Sequence, residues 1–168
     1  MKYTLLNSFT VLKLWLFVNL LGVVFLECPL GWHHYDNSCY LFSTDRYNWL
    51  DAESSCRAHD ARLAEVVSKN QSDYLMNMAI TVGKDESYWL GGRDDVIEGT
   101  WIWASTDKVF TYTDWYPGQP NNYNNNEDCL HMYASFNMKW NDFSCAGLNG
   151  FVCEKRYPRT TNEPEIIG

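Results

Sequence analysis

Six cysteines set the first limit on what this chain can fold into: Cys28, Cys39, Cys56, Cys129, Cys145 and Cys153. All stand after residue 27, and their number is even. No C-x-x-C pair occurs, which argues against a zinc site. An even set in an oxidising compartment implies three disulfides. Six cysteines admit fifteen pairings, and spacing alone does not choose among them.

The residues ahead of Cys28 explain how the chain would reach such a compartment. Lys2 and Lys13 precede an apolar run, Leu14 to Leu26, broken by Asn19. A bilayer span needs roughly 20 apolar residues, and this run is shorter. It predicts a secretory signal peptide over residues 1–27, cut between Gly22 and Glu27, with an uncleaved signal anchor as the alternative. The chain is therefore expected to be secreted. Its 168 residues suit one domain of ordinary size. A net charge of −8 excludes an extended nucleic-acid-binding surface and is compatible with divalent cations or basic partners. Residues 156–168, with Pro158 and Pro164 and few apolar side chains, are expected to form a flexible tail.

Two segments carry helical periodicity. In the first, Trp49, Ala52 and Cys56 line one face, with Asn48 as N-cap. In the second, Leu75, Met78, Ala79 and Val82 form a similar core-facing stripe. Short strands are expected at Tyr40–Phe42, Leu63–Val67, Tyr88–Leu90, Trp101–Trp103, Cys129–Ala134 and Phe151–Glu154. Leu130, Met132 and Ala134 alternate with Cys129, His131 and Tyr133, which reads as a strand with one buried face. From Gly91 to Asp128 little regular structure is expected beyond Trp101–Trp103. Loops of that length in a compact domain are usually functional or tied down.

Within that region stands PGQPNNYNNNEDC, Pro117 to Cys129. Amides and acids dominate it, and it cannot build a core. It is either slack linker or a set of oxygen ligands. Calcium takes six to eight oxygens from carboxylates, amide carbonyls, backbone and water.

The cysteine order, WLGG at Trp89–Gly92, QPN at Gln119–Asn121 and WND at Trp140–Asp142 together resemble the C-type lectin domain family. The match runs from Cys28 to about Glu154, and the domain is placed at residues 28–155. CPLGWHHYDNSCY resembles the N-terminal hairpin of the family's long form. Among subgroups the chain is similar to short secreted invertebrate lectins. The resemblance implies an α+β double-loop fold: two helices flanking small antiparallel sheets, a long calcium-binding loop region and three disulfides. It also implies their pairing: Cys28–Cys39, Cys56–Cys153 and Cys129–Cys145. The last closes the segment holding WND, and loop entropy makes it worth roughly 3 kcal/mol.

The resemblance further implies a ligand set for Ca2+. The family's sugar-binding site maps onto Gln119, Asn121, Glu127, Asn141 and Asp142, with Asp142 adding its backbone carbonyl and a cis bond at Pro120. An auxiliary site maps onto Asp94, Glu98, Asn122 and Asp128, together with the backbone of Glu127. QPN departs from the family's EPN and QPD motifs in carrying amides at both places. Only Glu127 and Asp142 then bring charge, so weaker calcium binding is expected. The sugar would be held by Gln119, Asn121, Glu127 and Asn141, through amide donors and a carboxylate acceptor. Tyr123 offers a ring for the apolar face of galactose, which tilts the expected specificity to galactose or to a broad range.

Other readings are weaker. Glu127 and Asp128 are consecutive, so on a strand they point apart, whereas a glycosidase pair must flank one bond. His33, His34, His59 and His131 show no ligand spacing and are expected on the surface or in packing. Trp101, Trp103, Trp115 and Trp140 are expected in the core. No nucleophile elbow, P-loop or dinucleotide motif occurs, so no enzyme is expected. Asn70-Gln71-Ser72 is an N-glycosylation pattern. The leading expectation is a calcium-dependent lectin for microbial or cell-surface glycans in innate immunity, gaining avidity through self-association. The alternatives are a matrix protein of biomineralisation and a lectin-like domain that binds protein without calcium.

Overall fold

Asn48 begins the first helix as its sequence suggests: its side chain accepts from the N–H of Asp51, and α1 spans Trp49–Ala58. Trp49, Ala52 and Cys56 are its buried face. Ser68 caps the second helix through the N–H of Gln71, and α2 spans Lys69–Gly83. Its buried face is Gln71, Ser72, Leu75 and Ala79. Val82 belongs outside that face at 40% exposed, because the last turn of α2 runs past the edge of the core. The protein is represented by a computed structural model that describes residues 27–157, of which Cys28–Tyr157 form one compact unit. The expected signal peptide ahead of Glu27 and the tail beyond Tyr157 lie outside the described residues.

Among the described residues nine strands join in one network. β1 (His33–Tyr35) and β2 (Ser38–Tyr47) form an N-terminal hairpin. β9 (Asn149–Arg156) is the hub, pairing antiparallel with β2 and with β3 (Arg62–Leu63). β4 (Tyr88–Arg93) pairs with β9 in parallel, so the sheet is mixed rather than antiparallel throughout. The long connection from β4 to β9 makes this possible, since a parallel pair needs a crossover. β4 also pairs antiparallel with β5 (Ile102–Trp103) and β7 (Cys129–Tyr133), while β5 pairs with β6 (Lys108–Val109) and β7 with β8 (Lys139–Phe143).

Several bounds differ from the sequence reading. β3 stops at Leu63, although Ala64 and Val66 remain buried. β7 ends at Tyr133 and passes into a 3-10 turn, Ala134–Phe136. Cys129, Leu130, His131 and Met132 are all buried, so β7 has two covered faces, not one. Position explains this: β7 lies between β4 and β8 and separates two cores. One core gathers Tyr40, Tyr88, Leu90, Trp103, Leu130 and Trp140 against α2. The other gathers Trp49, Ala52, Cys56, Trp89, Phe151 and Cys153 under α1. Trp101, Trp103 and Trp140 are buried, and Trp115 is partly buried against them.

Tight packing explains the glycines of β4. A Cβ on Gly91 would stand 2.9 Å from the carbonyl oxygen of Leu63, and one on Gly92 would meet Phe110 and, at 2.8 Å, Leu130. Disulfides join Cys28–Cys39, Cys56–Cys153 and Cys129–Cys145. The second ties α1 to β9, and the third ties β7 to the turn after β8.

Candidate functional site

Backbone pairing delivers the amide-rich loop to β8. Trp115 bridges Trp140 in parallel, the N–H of Trp140 donates to Asp114 O at 3.0 Å, and the N–H of Tyr116 donates to Trp140 O at 2.9 Å. The chain thus runs beside β8 and sets Gln119 to Asn122 next to Asn141 and Asp142. The Gln119–Pro120 bond is cis.

Asp142 is the tie point. It is fully buried, and its Oδ2 accepts from the N–H of Asn121 at 2.8 Å and of Asn122 at 2.6 Å. Two N–H groups on one carboxylate oxygen hold the loop close to the strand. Glu127 closes the loop from its other end: its Oε2 accepts from the N–H of Tyr123 at 3.0 Å, and its own N–H donates to Asn122 Oδ1 at 3.1 Å. Asn122, Asn124 and Asn125 lie in the left-handed region, which asparagine tolerates better than most residues. A loop of asparagines can therefore make this reversal where β-branched residues could not.

Asp94 belongs to the same region. Its N–H donates to Asp128 O at 3.2 Å, and its Oδ2 accepts from the N–H of Gly99 at 2.9 Å. Gly99 has φ +77°, which favours glycine there. Asn122 Nδ2 donates to Glu98 Oε2 at 2.5 Å and links the 94–99 turn to the QPN loop. Of the residues mapped from the sequence, Asp94, Glu98, Asn122, Glu127, Asp128 and Asp142 thus share one connected region.

Asn141 is held from β7 instead. Asn141 lies across from His131 on β7, with Nδ2 3.0 Å from His131 Nε2, and its amide also reaches the carbonyl oxygen of Asp142. Tyr123 points outward, 67% exposed.

The electrostatics of the loop are those of uncompensated negative charge. Burial pushes the Asp94 carboxyl up to about 6, and the charges of Glu98, Asp128 and Asp142 push the same way against one relieving N–H from Gly99. Burial raises Glu127, again with Asp142 adding to the shift, and burial raises Asp128 with help from Glu98 and Asp95. Carboxylates that disfavour one another in this way favour a cation among them.

Three buried oxygens here have no hydrogen-bond partner among the described residues: Gln119 Oε1, Asp94 Oδ1 and Asp142 Oδ1. An unpaired buried acceptor costs roughly 1–3 kcal/mol. Three in one region fit the oxygen donor set of a hard cation. Among the described residues no three of His, Cys, Asp or Glu converge as a metal cage, so such a cation would depend on amide and backbone oxygens as well.

Sequence reasoning left His131 on the surface or in packing and missed its contact with Asn141. The i to i+2 alternation of β7 could have hinted at a polar residue facing β8, but β8 itself was not read from the sequence. Gly99 was also missed; its signal was a lone glycine within the D-x-x-x-E-G stretch. Asn70 is exposed on the first turn of α2, while Ser72 of the glycosylation pattern is buried and donates to Asp114 Oδ2 at 2.8 Å.

Comparison with known proteins gives the lineage. The Lectin C-type domain matches residues 45–155. Perlucin of Haliotis laevigata is 38% identical over 137 residues, covering 80% of this chain and 88% of perlucin. A perlucin-like protein of Mytilus galloprovincialis is 35% identical, over 76% of this chain and 83% of that one. Among solved structures, the carbohydrate-recognition domain of cow CD23, studied in the presence of a GlcNAc2Man3 oligosaccharide, superposes with a TM-score of 0.71 at 31% identity, covering 79% of this chain and 98% of that chain. The family is one of carbohydrate-binding domains without catalysis, and this chain, from its disulfide-linked sheet to the loop beside β8, belongs to the C-type lectin domain family.

Proposed function

We propose that the protein is a secreted, calcium-dependent lectin that binds the monosaccharide ends of glycans at the Gln119–Asp128 loop and β8. The observation that carries the reading is the meeting of loop and strand at Asp142, with unpaired buried oxygens of Gln119 and Asp142 beside it. Gln119, Asn121, Glu127, Asn141 and Asp142 would hold the ion in the sugar site, and Asp94, Glu98, Asn122 and Asp128 an auxiliary one. A bound calcium ion would supply coordination positions to two neighbouring sugar hydroxyls. The carboxylate of Glu127 accepts from one hydroxyl, and the amides of Gln119, Asn121 and Asn141 offer hydrogens or oxygens to the other. Tyr123 presents an exposed ring on which the apolar face of galactose can stack. These features support a galactose-leaning or broad specificity.

A monosaccharide end in one shallow site binds weakly, so capture of microbial or cell-surface glycans would need several copies. That fits a role in innate defence. Residues 1–27 as a signal peptide and three disulfides support secretion. Among the described residues no helix is long and apolar enough to cross a membrane. A glycan array read with calcium and again with chelator tests the reading. Binding to galactose- or mannose-terminated glycans that chelator abolishes supports it; equal binding in both, or none, overturns it. A matrix role in biomineralisation is the second reading, favoured by the net charge of −8 and the similarity to perlucin. Calcium carbonate crystals grown with and without the protein test that role.

A further inference from the structure

His131 lies deep in the fold yet touches the polar end of β8. Its ring is stacked on Phe143 at 5.0 Å between centroids and 8° between planes, and on Tyr133 at 5.2 Å and 15°. Trp89 packs against it at 5.5 Å. A ring gripped by three aromatic neighbours cannot turn over without breaking the core. Its two nitrogens therefore face fixed directions.

Each nitrogen faces an asparagine amide. Nε2 lies 3.0 Å from Asn141 Nδ2, and Nδ1 lies 3.4 Å from Asn149 Nδ2. A neutral imidazole has one acceptor and one N–H donor. It can accept from only one of the two amides. The shorter contact takes the acceptor, so Asn141 donates to Nε2 and the ring proton sits on Nδ1. Asn149 completes the pair through its amide oxygen, which a half turn of that amide brings to Nδ1. Hydrogen donation along the row then runs from Asn141 on β8 through His131 on β7 to Asn149 on β9.

We propose that His131 is the positioning residue for Asn141: by taking one amide hydrogen, its Nε2 settles that the oxygen end of that planar amide is the end left for the loop site. The proposal rests on the reading of that site as a calcium and sugar site, and it adds the residue that orients one of its ligands. Two acceptors hold the NH2 end of Asn141, Nε2 of His131 and the carbonyl oxygen of Asp142; without Nε2 only the Asp142 carbonyl would resist a turn of the amide that presents NH2 where an oxygen is needed. Partners that orient metal ligands typically carry 10–100-fold of affinity.

Three variants test this. His131→Gln can place an oxygen near the position of Nε2, His131→Asn keeps a polar group only near Nδ1, and His131→Phe keeps a ring in the stack with no acceptor. Two measurements are made on each folded, fully oxidised protein: the Asn141 side-chain NH2 resonances of 15N-labelled protein in chelator, and the calcium dissociation constant by calorimetry. His131→Gln is expected to keep a slowly exchanging Asn141 amide pair and to stay within about threefold of the parent. His131→Asn and His131→Phe are expected to lose that pair and to bind calcium about tenfold more weakly or worse. An unchanged Asn141 amide pair and unchanged affinity in both His131→Phe and His131→Asn overturn the proposal, as does a Gln variant that falls as far as they do with a parent-like near-ultraviolet dichroism spectrum. The Gln and Asn variants decide the question if the Phe variant does not fold. If the parent itself gives no calcium heat, the reading of the loop fails, whereas the amide resonances still decide whether His131 holds Asn141.

Discussion

The carboxylate of Asp142 accepts a hydrogen bond from the backbone N–H of Asn122 at 2.6 Å and so ties the amide-rich loop to strand β8. The same oxygen takes the N–H of Asn121 at 2.8 Å, while Oδ1 stays without a partner. Anchor and proposed calcium ligand thus share one side chain. Asp142→Asn keeps the shape but removes the charge and can turn an NH2 toward the two N–H groups. Hydrogen bonds to a charged group are worth roughly 1.5–3 kcal/mol. The variant is expected to melt earlier in chelator by a loss of that order and to bind calcium at least tenfold more weakly, read by thermal denaturation and calorimetry. Parent-like calcium affinity in the folded variant would remove Asp142 from the ligand set.

Gln119 tests the charge of the site. Its Oε1 is buried without a partner, and the sequence supplies an amide where the family's EPN motif has a carboxylate. A further unit charge a few ångströms from a divalent ion at a partly wet site is worth about 1 kcal/mol or more. Gln119→Glu is therefore expected to tighten calcium binding by about fivefold or more in a calorimetric titration. A variant no tighter than the parent would show that Gln119 does not face the ion.

The disulfide Cys129–Cys145 tests how far the site depends on its frame. It clamps the start of β7 to the turn after β8, and so brackets Asn141 and Asp142. Replacing both cysteines by serine is expected to lower unfolding free energy by about 3 kcal/mol in urea. Calcium and sugar affinity should fall with it, because β8 loses the covalent link at its end. Unchanged affinity alongside lowered stability would mean that the Asp142 contacts alone hold the loop.

Tyr40 offers a test remote from the loop. Its hydroxyl accepts from Gln71 Nε2 at 2.9 Å and donates to Glu154 Oε1 at 3.4 Å. Burial raises its pKa above the ordinary 10, with the Glu154 charge adding to the rise. The sign follows directly: the folded state keeps this proton at pH values where the unfolded state gives it up. Its contribution is whole below about pH 10 and is lost as pH rises above that value. Urea denaturation at pH 9 and pH 11 should show a steeper loss for the parent than for Tyr40→Phe. Equal slopes would show that Tyr40 ionises freely in the folded protein.

Much of this was legible in the chain itself. Asn48 and the stripe Trp49, Ala52, Cys56 specify α1 because a cap and a 3.6-residue period act within a few residues of one another. Tyr88–Leu90 reads as a strand from its own residues, whereas its continuation through Gly91 and Gly92 and the close packing there came only with the fold. The QPN loop shows its oxygens because a run of amides has no core to enter. Val82, the second buried face of β7 and the whole of β8 were not legible, since each depends on what lies across from it and no local pattern records that.

Residue type and local spacing by themselves determined that oxygens, aromatics and three cross-links would be present, because those are properties of side chains and of neighbours along the chain. Tertiary structure alone decided that Asp142 gives one oxygen to the loop backbone, that Asn141 turns to His131, and that β4 runs parallel to β9. The physical reason is that a hydrogen bond is directional and short. Which acceptor meets which donor is settled only when strands distant in sequence come within about 3 Å of one another.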